Sequence, residues 1–216
     1  MARIIQFKIS KINRVITVMS NLFNKTIRVL IFSDVVLISS FGFIVPIFPI
    51  FLTESIVGGN VKVAGFAAAV YWIVHSLVLI PIGQFLDKRK GEIDDLLFIV
   101  FGNFLAAAAV IGYLFASLPW HIYSLEAIYA LGMAMNIPAY TAIFSRHLDK
   151  GKEAVSWGTR GALVGVGTGI AGALGGAIAF DIGFEVLFVG VAGFIVLSSV
   201  LPLLLLGELA REKIKK

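Results

Sequence analysis

Four ionisable residues stand inside long apolar stretches of this 216-residue chain: Asp34, His75, Glu126 and Arg160. A charge at the centre of a membrane helix costs about 2.5–3.5 kcal/mol, so each needs a partner or water and each is a candidate for function. The pattern is richest around Glu126. Tyr123, Glu126, Tyr129 or Ala130, Met133, Asn136 and Tyr140 recur at helical spacing and share one face. Tyr, Asn, Met and one carboxylate suit a modest-sized organic solute, held by a few hydrogen bonds and apolar contact. Two blander readings stand beside this one: Tyr123 as an interfacial aromatic anchor, and Glu126 snorkelling outward. His75, with Tyr71 one turn before it, is either a proton-coupling group or an interhelical hydrogen-bonding residue. Asp34 is either a proton carrier or the partner of Asn103, which stands at comparable depth in another apolar stretch. Trp72, Trp120 and Trp157 read as packing or interface residues.

The elements that position these groups follow from composition. With 59% hydrophobic residues, 14% charged residues and a mean hydropathy of +0.97, the chain is too apolar for a water-soluble domain of this size. A hydrocarbon layer about 30 Å thick needs about 20 apolar residues per helix. Six runs qualify, near 28–52, 63–86, 96–117, 119–144, 157–180 and 183–206. Strand-period alternation is absent, so the fold class is all-α, a membrane protein of six transmembrane helices. Pro46, Pro49 and Pro138 are expected to bend their helices.

Loop charge provides a check on the count. If both termini are cytoplasmic, every Lys and Arg except Lys62 falls on the cytoplasmic side, as the positive-inside rule requires. The formal charge of +5 then describes a cytoplasmic membrane face, and no nucleic-acid partner is needed. The expected location is the cell membrane, with multiple passes. Ile5, Ile9, Ile12, Ile16, Met19 and Phe23 recur at spacings of three and four, so residues 1–27 read as an amphipathic segment on the inner leaflet. Residues 28–206 form the transmembrane domain and 207–216 a basic cytoplasmic tail. Long charged links, 87–95 and 145–156, divide the runs into two sets of three, the second inverted relative to the first.

The chain has no cysteine, so disulfides and thiolate metal sites are excluded, and no metal or cofactor is expected. An enzyme is set aside as well, since no Gly-x-Ser-x nucleophile turn lies in an apolar run and no His-Glu-x-x-His occurs. In the fifth run, Gly158, Gly161, Gly165, Gly169, Gly172 and Gly176 are spaced 3, 4, 4, 3 and 4, which gathers them into a narrow stripe. Such a stripe lets another backbone approach closely, within one bundle or between subunits.

Residues 81–91 contain Gly83, Asp87, Lys88, Arg89 and Gly91 at the cytoplasmic end of the second run. This resembles the signature between the second and third helices of the major facilitator superfamily. The glycine-rich stretch 167–176 resembles the fifth-helix motif of that family, and residues 132–138 its fourth-helix segment. The resemblance spans residues 28–206 and implies one half of a twelve-helix transporter, built as a 3+3 inverted repeat. In that frame the first and fourth helices line a central cavity. Substrate-facing positions would then be Asp34, Phe41, Tyr71, His75, Asn103, Glu126, Met133, Asn136 and Tyr140. Gly83, Asp87, Lys88, Arg89 and Arg160 would form a conformational gate, and the six stripe glycines an interface.

Alternating access needs two bodies rocking about a site. With an initiating Met and a basic tail, the chain reads as complete. The resemblance therefore implies a parallel homodimer that carries a small organic solute, coupled or not to protons. The alternative is a half-subunit or scaffold that pairs with a different six-helix chain.

Overall fold

The computed structural model describes residues 23–89 and 91–207. Most of the expected amphipathic segment, residues 1–22, lies outside the described residues, as do Lys90 and residues 208–216 of the basic tail. Among the described residues the secondary structure is helical, without strands.

Helix α1 spans Lys25–Gly42, and the side chain of its N-cap, Asn24, accepts from the Ile27 N–H at 2.9 Å, satisfying one of the open donors of the first turn. The chain then passes through residues 43–47 into α2, Phe48–Ser55. Pro46 and Pro49 lie at this break. Neither has an N–H to donate, and each disfavours helical backbone at the residue before it. Backbone bonds from Val45 to Phe41 and from Phe48 to Ile44 nevertheless carry the chain onward in one direction.

Among the described residues, five helices are long and apolar enough to cross a membrane. They are α3 (Val61–Arg89), α4 (Glu92–Gly112) with a 3-10 turn at Tyr113–Phe115, α5 (Pro119–Arg146), α6 (Glu153–Asp181), and α7 (Phe184–Val200) with a 3-10 turn at Leu201–Leu205. The expected first run is the exception: it is split into α1 and α2, and α1 also carries Lys25, Arg28 and Asp34. By contrast, α5 runs through Pro138 and α3 through Pro81 without interruption.

The charged links are shorter than the sequence implies. Only residues 90–91 separate α3 from α4, and 147–152 separate α5 from α6. Lys88 and Arg89 close the last turn of α3, while Glu92, Asp94 and Asp95 open the first turn of α4. Basic groups at a helix C-terminus and acidic groups at an N-terminus both oppose the helix dipole favourably. These charges extend the helices rather than ending them.

Helix α5 packs between α3 and α4, α1 packs on α6 and α7, and α4 packs on α7. Helices α4 and α5 cross closely through a pair of glycines. A Cβ on Gly102 would strike the Gly132 carbonyl oxygen, and one on Gly132 would strike that of Gly102. Two apolar clusters fill the bundle, one around Leu37, Phe51, Phe188 and Val191, the other around Leu30, Leu96, Ile143 and Phe144.

The two ends of the bundle are held differently. At the basic end Arg146 pairs with the fully buried Asp95, His147 with Glu92 at 3.0 Å, and Asn24 donates to the His147 carbonyl at 2.7 Å. At the opposite end the Val57 N–H donates to the Ser117 carbonyl at 3.0 Å, joining two loops.

Helices α3 and α6 are the least enclosed. Only 17% and 11% of their most apolar windows are buried, against 50% for α4 and α5. The α6 contact with α1 uses glycines outside the expected stripe: Gly167 meets Ser39, Gly175 meets the Phe43 backbone, and Gly42 meets Thr168. Of the stripe itself, among the described residues only the Gly172 Cβ position has neighbours, Pro46 at 3.4 Å and the Gly42 carbonyl at 3.6 Å. Around the Cβ positions of Gly158, Gly161, Gly165, Gly169 and Gly176 nothing lies within 4 Å.

Candidate functional site

In the half of the bundle away from the basic end, the break at 43–47 turns Phe41, Ile44, Val45, Phe48 and Pro49 toward α3 and α5 around a cavity of about 420 Å³. Ala64, Ala68, Tyr71 and Trp72 supply the α3 wall at helical spacing, with the two alanines leaving room. Glu126 and Tyr129, three residues apart on α5, complete the lining with Val110 and Tyr113.

Among the described residues Glu126 is the one carboxylate in this lining, and no Lys or Arg contributes to it. It is 8% exposed, and the Tyr113 hydroxyl donates to its Oε1 at 2.8 Å. Rings continue from there. Tyr129 stacks on Tyr71 at 5.2 Å and meets Phe41 edge-on at 4.9 Å, while Trp72 meets Tyr71 edge-on at 5.1 Å. Offset and edge-to-face pairs of this kind hold rings in defined orientations. His75 lies one turn farther along α3, stacked on Tyr71 at 5.6 Å, and its buried Nε2 has no hydrogen-bond partner among the described residues.

The substrate-facing positions proposed from sequence fall into three groups. Phe41, Tyr71 and Glu126 meet in the cavity, with His75 behind them. Asn103 and Asn136 are partners of each other: the Asn136 Nδ2 donates to the Asn103 Oδ1 at 2.7 Å, and the Asn103 Nδ2 donates to the Ser198 Oγ at 3.2 Å. The Ser33 hydroxyl adds a bond to the Ser198 carbonyl at 2.8 Å. This buried network ties α1, α4, α5 and α7 together. Met133, 3% exposed, belongs to the apolar core beside it.

Asp34 and Tyr140 lie nearer the basic end with Arg160. The Arg160 guanidinium is 2.9 Å from the Asp34 carboxylate and sits over the rings of Tyr140 at 5.3 Å and Trp157 at 5.6 Å. Asp34 thus pairs with Arg160 and not with Asn103. The remaining gate positions, Gly83, Asp87, Lys88 and Arg89, cluster at the C-terminal end of α3, apart from that pair. Arg89 lies over the Phe85 ring at 4.6 Å, and nothing lies within 4 Å of the Gly83 Cβ position. Asp87 is exposed and has no ion pair or hydrogen bond among the described residues.

Sequence reasoning missed Tyr113, the hydrogen-bond donor to Glu126. The residue follows the last α-helical turn of α4, and the hairpin into α5 folds it back across thirteen positions. Its only sequence signal is a tyrosine near the end of an apolar run, the usual place for an interfacial anchor. Asp95 was also missed, because it reads as part of a charged loop.

A family model for the Major Facilitator Superfamily matches residues 30–216. A search of curated proteins gives no match. The matched stretch runs from within α1 through every later helix, including the cavity and both polar clusters. Apolar helices of membrane-crossing length, packed around a cavity that holds a buried carboxylate, agree with that match. The chain belongs to the Major Facilitator Superfamily and is a multi-pass membrane protein of a family made up of transporters rather than enzymes.

Proposed function

We propose that this chain forms one half of a secondary transporter. Two parallel copies would carry a small organic solute by alternating access, with both termini cytoplasmic in the cell membrane. The observation that carries the reading is the pairing of a lined cavity with two under-enclosed helices. The cavity takes its walls from α1–α2, α3 and α5, while α3 and α6 leave most of their surface without a neighbour among the described residues.

Helix packing supports a six-span 3+3 inverted repeat, with α1 and α2 together as the first span. Helix α3 lies along α5 as α6 lies along α1, which is the exchange that such a repeat produces. The open stripe from Gly158 to Gly176 gives a second backbone a place to approach. In the resulting pair, Asp87 of one copy faces the N-terminal end of α6 in the other, around Ser156 to Gly158. A carboxylate there gains about 0.3–1 kcal/mol from the helix dipole, enough to latch one conformation and small enough to release it. Proton coupling, if present, runs through His75, whose ring stacks on the cavity residue Tyr71.

The absence of native cysteine makes the test direct. Asp87→Cys and Gly158→Cys, introduced together, are expected to give a disulfide-linked dimer in membranes, and proteoliposomes containing this chain alone are expected to take up solute. Transport by a chain that stays monomeric, or uptake only after a different six-helix chain is added, would overturn the homodimer.

A further inference from the structure

The chemistry of the cavity narrows what can occupy it. We infer that the site around Glu126 binds organic monocations: a positively charged nitrogen carried on an apolar, preferably aromatic, body. This rests on the proposed transporter only in taking the cavity as the solute site, because binding is measured separately from transport.

Two features of the lining point to charge of this sign. Phe41, Tyr71, Tyr129 and Trp72 present ring systems to one space, and ring faces carry the negative end of the aromatic quadrupole. A cation within about 6 Å of such faces is attracted, more strongly when desolvated. Glu126 supplies the matching carboxylate. Tyr113 occupies one of its acceptor positions at 2.8 Å, out of about four that a carboxylate offers, so the group is oriented and can still accept a ligand.

The lining also argues against other solutes. An anion would meet Glu126 with no Lys or Arg in the wall to offset it. A sugar, with many hydroxyls, would find Glu126 and a few tyrosine hydroxyls among mainly hydrocarbon walls. Its unpaired polar groups would then be costly to bury. A zwitterion brings a carboxylate that has no cationic partner there. A monocation with an apolar body leaves no group unmatched.

The test uses the full-length protein in lipid nanodiscs, titrated calorimetrically with benzyltrimethylammonium. The comparator is benzylsulfonate, which has a similar aromatic body and the opposite charge. The cation is expected to bind once per chain and the sulfonate not at all. Glu126→Gln, which removes the carboxylate charge that attracts the ammonium, is expected to weaken the cation by about tenfold or more, and Trp72→Ala, at a 62% exposed position, by about threefold. If Glu126→Gln fails to fold, Trp72→Ala and Tyr71→Leu provide the reading.

Equal binding of cation and sulfonate, no cation binding, or cation binding unchanged in every folded variant would overturn the inference. Uptake of other solutes would then still support the transporter. Cation binding without uptake of any solute by proteoliposomes would have the opposite meaning, supporting the site and removing the transporter.

Discussion

The guanidinium of Arg160 on α6 lies 2.9 Å from the carboxylate of Asp34 on α1, and the aspartate side chain is 4% exposed. Two opposite charges are thus held against one another between α1 and α6, with the Tyr140 and Trp157 rings beside the cation. Removing one partner strands the other. Arg160→Leu is expected to destabilise the protein by about 3–5 kcal/mol, and Asp34→Leu combined with Arg160→Leu to recover most of that loss. A double-mutant cycle by unfolding in mixed micelles checks it, and additive losses would mean that the pair is not coupled.

Tyr113→Phe keeps the ring packed against Phe48 and Phe188 and deletes only the hydroxyl that donates to Glu126. Leaving a buried acceptor without its donor costs about 1–3 kcal/mol. The expected result is a lower unfolding temperature with the helical spectrum intact. An unchanged temperature would mean that solvent fully replaces the hydroxyl.

Glycines on α5 and α6 separate two kinds of contact. Gly132→Ala would push a methyl group into the Gly102 carbonyl, so the α4–α5 crossing must open, at a cost of about 1–3 kcal/mol. Gly161→Ala and Gly165→Ala meet no atom of the other described elements within 4 Å and should leave the stability of the single chain unchanged or slightly raised. If copies pair through α6, those two changes lower the dimer fraction in native mass spectrometry. Loss of single-chain stability from Gly165→Ala would contradict the packing described.

Asn136→Ala removes the donor to the Asn103 Oδ1 from a fully enclosed network. The expected loss is about 1–3 kcal/mol of stability, with cavity affinity preserved, since neither asparagine lines that space. Thermal melts alongside ligand titration distinguish this from direct solute contact, which would lower affinity at unchanged stability.

Much of the fold was legible because a lipid layer imposes a length on each apolar run. Five of the six runs became single helices with ends within a few residues of those expected. The first could not be read as two pieces, since Pro46 and Pro49 predict a bend without revealing how much helix survives between them. The face of α5 was also legible: Glu126 and Tyr129 do share a cavity wall. Depth on that face was harder to read, because periodicity gives the direction of a side chain but not the neighbour opposite it. Asn136 and Tyr140 follow Glu126 at the proper spacing, yet α4 covers the first and Arg160 approaches the second. Tyr113 eluded the sequence because its role depends on a hairpin that reverses the chain, which no local pattern encodes.

The uneven fastening of the bundle has a mechanical consequence. At the basic end, Asn24, Glu92, Asp95, Arg146 and His147 bind three helices through charge and hydrogen bonds. At the cavity end, among the described residues, the loops are joined by the backbone bond from Val57 to Ser117. A torque on the helices would therefore use the basic end as its fulcrum and splay the far end, with the proline-broken segment between α1 and α2 as the most compliant lever arm.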